Sequence, residues 1–187
     1  MSLKVLSTEI PDVKLLVPTR HVDERGFLSE VYARDAFHDA GIACDFVQEN
    51  HSYSKHAGTV RGLHFQIAPR AQGKLVRVIR GRVLDVAVDL RPDSPSFGRH
   101  VAVELSAEAW NQLYIPVGFA HGFCTLEPDT EVLYKLTDVY APELERGLLW
   151  NDPALGIAWP VEPEQAILSP KDRALPRLVE LTELVFT

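Results

Sequence analysis

The sequence predicts an all-β fold, a β-sandwich or barrel with short peripheral helices. Two observations carry it: runs of β-branched and aromatic residues only a few residues long, and turn residues that close nearly every run. The lead reads as short and mixed. Residues 34–42, RDAFHDAGI, set Phe37 and Ile42 among polar neighbours before a Gly41 stop, enough for one short helix. Strands follow. GKLVRVIRG and RVLDVAVDL are separated around Gly81, and RHVAVELS, WNQLYIP and TEVLYKLTDVY add three more, each ended by Gly, Pro, Asp or Asn. Eight or more short strands at this spacing imply a sandwich or barrel. After DPALGIAWP the periodicity is lost and Pro160, Pro163, Pro170 and Pro176 appear, so the tail is expected to wrap the sheets and end in a short helix near LPRLVELTEL.

A chain of 187 residues is long enough for one well-buried domain and too short for two comparable ones, so residues 1–187 are read as a single unit. The 46% hydrophobic and 24% charged fractions are those of an ordinary globule, and no run approaches the roughly eighteen apolar residues of a membrane span. The N-terminus lacks the pattern of a cleaved leader, so a cytoplasmic location is expected. Cys44 and Cys124 are too few for a disulfide framework and read as small buried hydrophobes. The net charge of -7 argues against a nucleic-acid partner. Arg61, Arg70, Lys74, Arg77, Arg80 and Arg82 nevertheless cluster in the strand-rich region, which predicts a cationic pocket in an acidic protein.

Spacing speaks to metal binding. Jelly-roll barrels of the cupin type resemble this arrangement; their first motif has His-x-His and a Glu separated by six residues from a Gly, and their second Pro-x-Gly-x-x-His. The second stands here as PVGFAH, with Pro116, Gly118 and His121. In the first, HFQ puts Gln66 where the second His would be, and Lys74 takes the Glu position before Gly81. A neutral amide and a cation replace two ligands, so no bound metal is expected.

A lysine in that place can take over the electrophilic role, its ammonium stabilising an enolate oxygen. His64 is the candidate base, because imidazole titrates nearest neutrality and a carboxylate on its other nitrogen can hold one tautomer. Asp172 in LSPKD and Asp85 in RVLDVAVDL both qualify as that carboxylate. Tyr134 is the candidate acid, a phenol that could return a proton from the opposite face, although its strand position also suits a core or interface residue. Arg61 poses a parity problem. In a regular strand His64 shares its face with Gly62 and Gln66, and Arg61 points the other way. Either Gly62 marks a bulge that returns Arg61 to the pocket, or Arg61 acts from a second subunit.

The order and spacing of DERGFLSE, QENHSYSKHAGTVRGLHFQ, GKLVRVIRGRVLDVAVDLRPDSPSFG, YIPVGFAHGF, LYKLTDVYAPELERGLLWNDP and LSPKD resemble the dTDP-4-dehydrorhamnose 3,5-epimerase family over nearly the whole chain. The resemblance implies a jelly-roll homodimer, needing neither a metal nor an organic cofactor, that inverts C3 and C5 of a nucleotide-linked 4-keto-6-deoxy sugar. It implies His64 as base, Asp172 as its partner, Lys74 as enolate stabiliser and Tyr134 as acid. It places Arg25 and Arg61 at the diphosphate, a role that suits guanidinium forks. Glu30, Gln48, Asn50 and Tyr140 resemble residues that hold base or sugar, His121 lines the sugar site, and Lys171 lies at the pocket edge. It also implies that the N-terminal segment of one subunit, with Arg25, completes the site of the other.

Two departures stand out: SPSFG where the family usually has Ser-Pro-Thr-Phe-Gly, and Leu136-Thr137 where it often has Thr-Thr. Leu136 shares strand parity with Tyr134 and so bears on how the phenol is presented. Relatives that invert one carbon keep much the same set, which leaves a single-site epimerase, or a non-catalytic nucleotide-sugar-binding protein, as alternatives.

Overall fold

The structure is a computed structural model describing residues 3–186. In chain order its strands are β1 (Leu3–Ser7), β2 (Lys14–Pro18), β3 (His21–Asp23), β4 (Gly26–Leu28), β5 (Gln48–Ser54), β6 (Val60–Gln66) and β7 (Lys74–Arg80). They continue as β8 (Arg82–Asp89), β9 (His100–Ser106), β10 (Gln112–Ile115), β11 (Phe119–Thr125), β12 (Thr130–Leu136) and β13 (Glu145–Gly147). A six-stranded sheet runs β1-β2-β10-β7-β12-β5 and a five-stranded sheet β13-β6-β11-β8-β9, with β3 and β4 forming a separate hairpin. The pairings are antiparallel. Among the described residues no pairing between named strands joins the two large sheets, so they are arranged as a sandwich of jelly-roll type.

Strand alternation explains the core. Val76 and Val78 of β7, Val83 and Ala87 of β8, Phe119 and Phe123 of β11 and Val132 of β12 meet in one buried cluster between the sheets. The opposite face of the smaller sheet carries Leu63, Phe65, Val86 and Val88. The tail covers that face: Leu178, Leu181, Leu184 and Phe186 pack on it, and the backbone N–H of Ala68 donates to Val185. Burying a residue such as Phe65 contributes about 1.5–3 kcal/mol relative to exposure, which helps explain why a proline-rich segment whose sheet pairing among the described residues is a single bridge, Thr59 with Ile167, stays attached.

Helix α1 (Arg34–Asp39) ends within the segment expected from sequence and buries Phe37 against Leu16, Ile42 and Leu75 on the larger sheet. The lead is richer than expected, holding β1 to β4. The helix expected near LPRLVELTEL is a single 3₁₀ turn, Leu178–Glu180, because the surrounding apolar residues are used singly against the sheet. Helix α2 (Pro170–Arg173) was not expected; Ser169 caps it, accepting from Asp172 N–H at 3.1 Å, with Pro170 at its first position. Cys124 is buried and Cys44 half-buried, both free thiols. No helix among the described residues is long and apolar enough to cross a membrane.

Candidate active site

At one end of the sandwich the inward positions change from apolar to polar. Lys74 follows the inward parity of Val76 and Val78, Tyr134 that of Val132, Asp85 that of Val83 and Ala87, and His121 that of Phe119 and Phe123. The site therefore occupies core positions of the strands, and Lys74, Asp85 and His121 are buried there.

His64 and Asp172, 108 residues apart, meet with Nε2 and Oδ1 at 2.6 Å. Burial alone would raise the Asp172 carboxyl. The His64 hydrogen bond and charge, with the Ser169 hydroxyl and the Gly62 backbone N–H, more than offset it and hold the carboxyl below the ordinary range. An ionised carboxylate only accepts, so Nε2 carries a proton, and in the neutral imidazole the lone pair is then on Nδ1. Asp85, the rival partner, is fully buried and instead takes Nε2 of His121, at 2.9 and 3.0 Å to its two oxygens. Burial holds the His121 imidazole below its ordinary pKa despite that carboxylate.

Lys74 is 7% exposed and donates from Nζ to the His64 carbonyl oxygen at 3.1 Å. Burial brings its pKa down to about 8, with the charges of Asp85 and Glu145 acting in the opposite direction. The group stays protonated near neutrality and retains N–H donors for a ligand. Tyr134, between Asn50 of β5 and Val76 of β7, has no hydrogen-bond partner among the described residues for its hydroxyl.

Gly62 resolves the parity of Arg61. His121 faces His64 and Phe123 faces Arg61, so two steps along β11 match three along β6, and the extra residue is a bulge that turns Arg61 to the side of His64. Gly62 has φ +118°, and a Cβ there would lie 2.6 Å from the Gly122 Cα, so no other residue fits. Arg61 is held by Ser54 Oγ at 3.2 Å and the Tyr53 carbonyl at 2.9 Å.

These groups surround a cavity of two lobes, about 400 and 260 Å³. The larger is walled by Gln48, Asn50, Gln72, Leu136, Tyr140 and Glu145, the smaller by Arg61, His121, Phe123, Lys171 and Asp172. The residues common to both are His64, Lys74 and Tyr134. A base, an ammonium and a phenol thus stand at the waist, an arrangement suited to removing and returning a proton beside a carbonyl.

Residues 7–180 match the family model described as dTDP-4-dehydrorhamnose 3,5-epimerase. The chain belongs to that family. It is 53% identical over 177 residues to the dTDP-4-dehydrorhamnose 3,5-epimerase of Salmonella typhimurium, covering 93% of this chain and 94% of that one. Among solved structures it is similar to the Bacillus anthracis dTDP-4-dehydrorhamnose 3,5-epimerase, which has TDP and PPi bound, at a TM-score of 0.92 and 50% identity, covering 95% of this chain and 100% of that one. It is also similar to the Legionella pneumophila dTDP-6-deoxy-D-glucose-3,5-epimerase in complex with dTDP-4-keto-L-rhamnose, with a TM-score of 0.92 and 44% identity over 97% and 95% of the two chains.

Of the residues that the resemblance to the 3,5-epimerase family singles out, ten line the cavity: His64, Lys74, Tyr134, Asp172, Gln48, Asn50, Arg61, His121, Tyr140 and Lys171. Arg25 and Glu30 do not. Arg25 sits on the β3–β4 turn, 85% exposed in its side chain and paired with Asp23, and Glu30 is exposed just beyond β4. The hairpin is held to its own chain by Phe27, edge-on to Trp110 at 4.7 Å, which leaves it away from the cavity of that chain. The expected cationic cluster also disperses. Only Arg61 and Lys74 of its six members line the cavity, while Arg70 pairs with Asp138, Arg82 with Glu104 and Glu127, Arg80 lies 3.9 Å from Glu131, and Arg77 stacks on Trp110. Alternation is the cause for Arg77, which projects from β7 on the side opposite Lys74.

Gln66, in the cupin ligand position, is committed elsewhere: Nε2 donates to the carbonyls of Arg70 and Val139, and Oε1 accepts from Ala141 N–H at 2.8 Å. Sequence reasoning missed Glu145, whose Oε2 accepts from both Lys171 and Tyr140 at the cavity rim. Burial pushes its carboxyl up and those two donors more than reverse the effect. The one signal was its place in the family-like stretch LERGLLWNDP.

Proposed function

We propose that this protein epimerises C3 and C5 of dTDP-4-dehydro-6-deoxy-α-D-glucose to give dTDP-4-dehydro-β-L-rhamnose. The observation that carries the reading is the cavity waist, where His64, Lys74 and Tyr134 are the three residues shared by both lobes. Nδ1 of His64 removes the proton alpha to the C4 ketone, and the electron pair moves to the ketone oxygen as an enolate. Asp172 stabilises the imidazolium that forms. Lys74 stabilises the enolate oxygen in a site where water offers little competition. Tyr134 delivers a proton to the same carbon from the opposite face, and solvent exchange restores base and acid. The ketone acidifies C3 and C5 alike, so one site serves both when the ring turns between rounds.

Arg61, on the smaller lobe, is read as a diphosphate ligand, with Lys171 beside it and His121 against the sugar. Gln48, Asn50 and Tyr140, on the larger lobe, are read as contacts to the sugar or nucleoside. Neither a metal nor an organic cofactor enters these steps. The chain is read as one cytoplasmic jelly-roll domain that works as a homodimer, in which Arg25 and Glu30 reach the partner's site. The exposure of Val22, Phe27 and Leu28 on the hairpin supports that assignment, since three apolar side chains on six strand residues suit a covered surface.

The test is proton NMR of the 4-keto-6-deoxyglucose nucleotide incubated with the protein in deuterium oxide. Deuterium at both C3 and C5 with the L-lyxo product is the expected result. Exchange and inversion at one carbon would reassign the protein as a single-site epimerase, and binding without exchange at either would make it a non-catalytic binder.

A further inference from the structure

Gln72 is not used by the chemistry above, yet its surroundings are those of a ligand contact. It is 8% exposed and lines the larger lobe, two residues before Lys74. Its backbone is pinned on the C-terminal side, where Gly73 N–H donates to Thr137 Oγ1 at 2.8 Å and Thr137 N–H donates to the Gly73 carbonyl at 3.0 Å. Its side chain is pinned too: Nε2 donates to the Asp138 carbonyl at 2.8 Å.

That last bond fixes which way the amide faces. A carbonyl oxygen only accepts, so the nitrogen must be the atom turned toward Asp138, and Oε1 is turned away from it. Oε1 has no hydrogen-bond partner among the described residues. Among the described residues no side-chain nitrogen or oxygen is both fully buried and unpartnered, so Oε1 is open to solvent, and the space beside this nearly buried residue is the cavity. The result is a preorganised acceptor of fixed direction, next in line to the ammonium.

We propose that Gln72 contacts the substrate, its amide carbonyl accepting a hydrogen bond from a hydroxyl of the hexose ring. The inference rests on the epimerase reading. Lys74 holds the C4 oxygen, so the hexose lies against this stretch of chain, and the hexose donors nearest the ketone are its ring hydroxyls. By fixing the ring relative to Lys74, Gln72 discriminates between hexoses that carry the hydroxyl and those that lack it, because a site built to hydrogen-bond a hydroxyl leaves an unpaired buried acceptor when it is missing.

The experiment compares wild type with Gln72→Met, which keeps length and shape but loses the acceptor, and with Gln72→Glu, which keeps an acceptor and loses the donor to Asp138. Each is assayed with the sugar nucleotide and with its 2-deoxy and 3-deoxy hexose analogues, the latter read by exchange at C5, and TDP affinity is measured separately. Gln72→Met is expected to lower kcat/KM for the sugar nucleotide roughly three- to tenfold, the effect of one neutral hydrogen bond. Gln72→Glu should lose less, TDP affinity should hold, and one of the two analogues should erase the difference between wild type and Gln72→Met. Unchanged kcat/KM in Gln72→Met overturns the contact. A matching loss of TDP affinity moves it to the nucleoside and overturns the hexose assignment, and an equal deficit with all three substrates reduces Gln72 to a structural role. An inactive wild type, by contrast, would count against the epimerase reading itself.

Discussion

The cavity waist and the β3–β4 hairpin are built in opposite ways. At the waist, functional side chains sit at core positions of paired strands, and each of His64, Lys74 and Asp172 is tied to a partner within its own chain. On the hairpin, each of the six strand residues is exposed and, among the described residues, Arg25 is paired only with Asp23, two residues away. One chain's register is sufficient to assemble the chemistry. The residues that the family resemblance assigns to binding from the N-terminal segment are left facing outward, as expected for groups that act on a second copy.

The comparison breaks most sharply if the waist proves dispensable. His64→Ala and Lys74→Met should each lower kcat by about two to three orders of magnitude or more, with the fold retained by circular dichroism. Near-normal turnover in either purified variant would remove the mechanism. Tyr134→Phe should slow inversion more than it slows deuterium wash-in, because the base still removes the proton when the acid is gone; parallel loss of both would reassign the phenol.

The hairpin half can be tested by mixing subunits. Arg25→Ala should weaken turnover roughly ten- to a hundredfold, as for loss of charged hydrogen bonds. Co-refolding it with His64→Ala should restore activity, since a mixed dimer pairs an intact His64 with an intact Arg25 at one of its two sites. If no mixture exceeds its separate components, Arg25 serves its own chain or none.

The smallest effects concern Lys74 and pH. In the free enzyme, kcat/KM should fall as pH rises through about 8 and the ammonium loses its proton. Stability should run the other way. The folded-state pKa of about 8 lies below the ordinary 10.5, so between those values the unfolded chain binds more protons and raising the pH stabilises the fold. Lys74→Met should therefore raise the melting temperature at neutral pH, recovering some part of roughly 3 kcal/mol, the free-energy equivalent of that pKa difference. A lower melting temperature would mean that the ammonium stabilises the native state.

Much of this was legible in the sequence because strand alternation places residues without further information. The parity that makes Val76 and Val132 core also makes Lys74 and Tyr134 inward-facing. Arg61 was ambiguous because a bulge breaks that rule, and two steps opposing three cannot be counted along one strand. The choice between Asp172 and Asp85 rested on the family resemblance, since both carboxylates reach a histidine by pairings or turns that no local pattern specifies. Helix α2 was within reach: Ser169 followed by Pro170 is a capping signal, submerged in a proline-rich stretch read only as tail. Glu145 was not: Tyr140 lies only five residues before it, but Lys171 meets it only through the folding of the tail.

A cavity with a waist also bears on how two inversions can follow one binding event. If the nucleotide is anchored in one lobe while the hexose turns at the shared residues, the half-converted sugar faces the base as a tethered reactant, at an effective concentration set by the linkage and independent of its level in solution. The singly inverted species then partitions between a second turnover in place and escape, and a firmer grip on the nucleotide biases that partition toward the doubly inverted product.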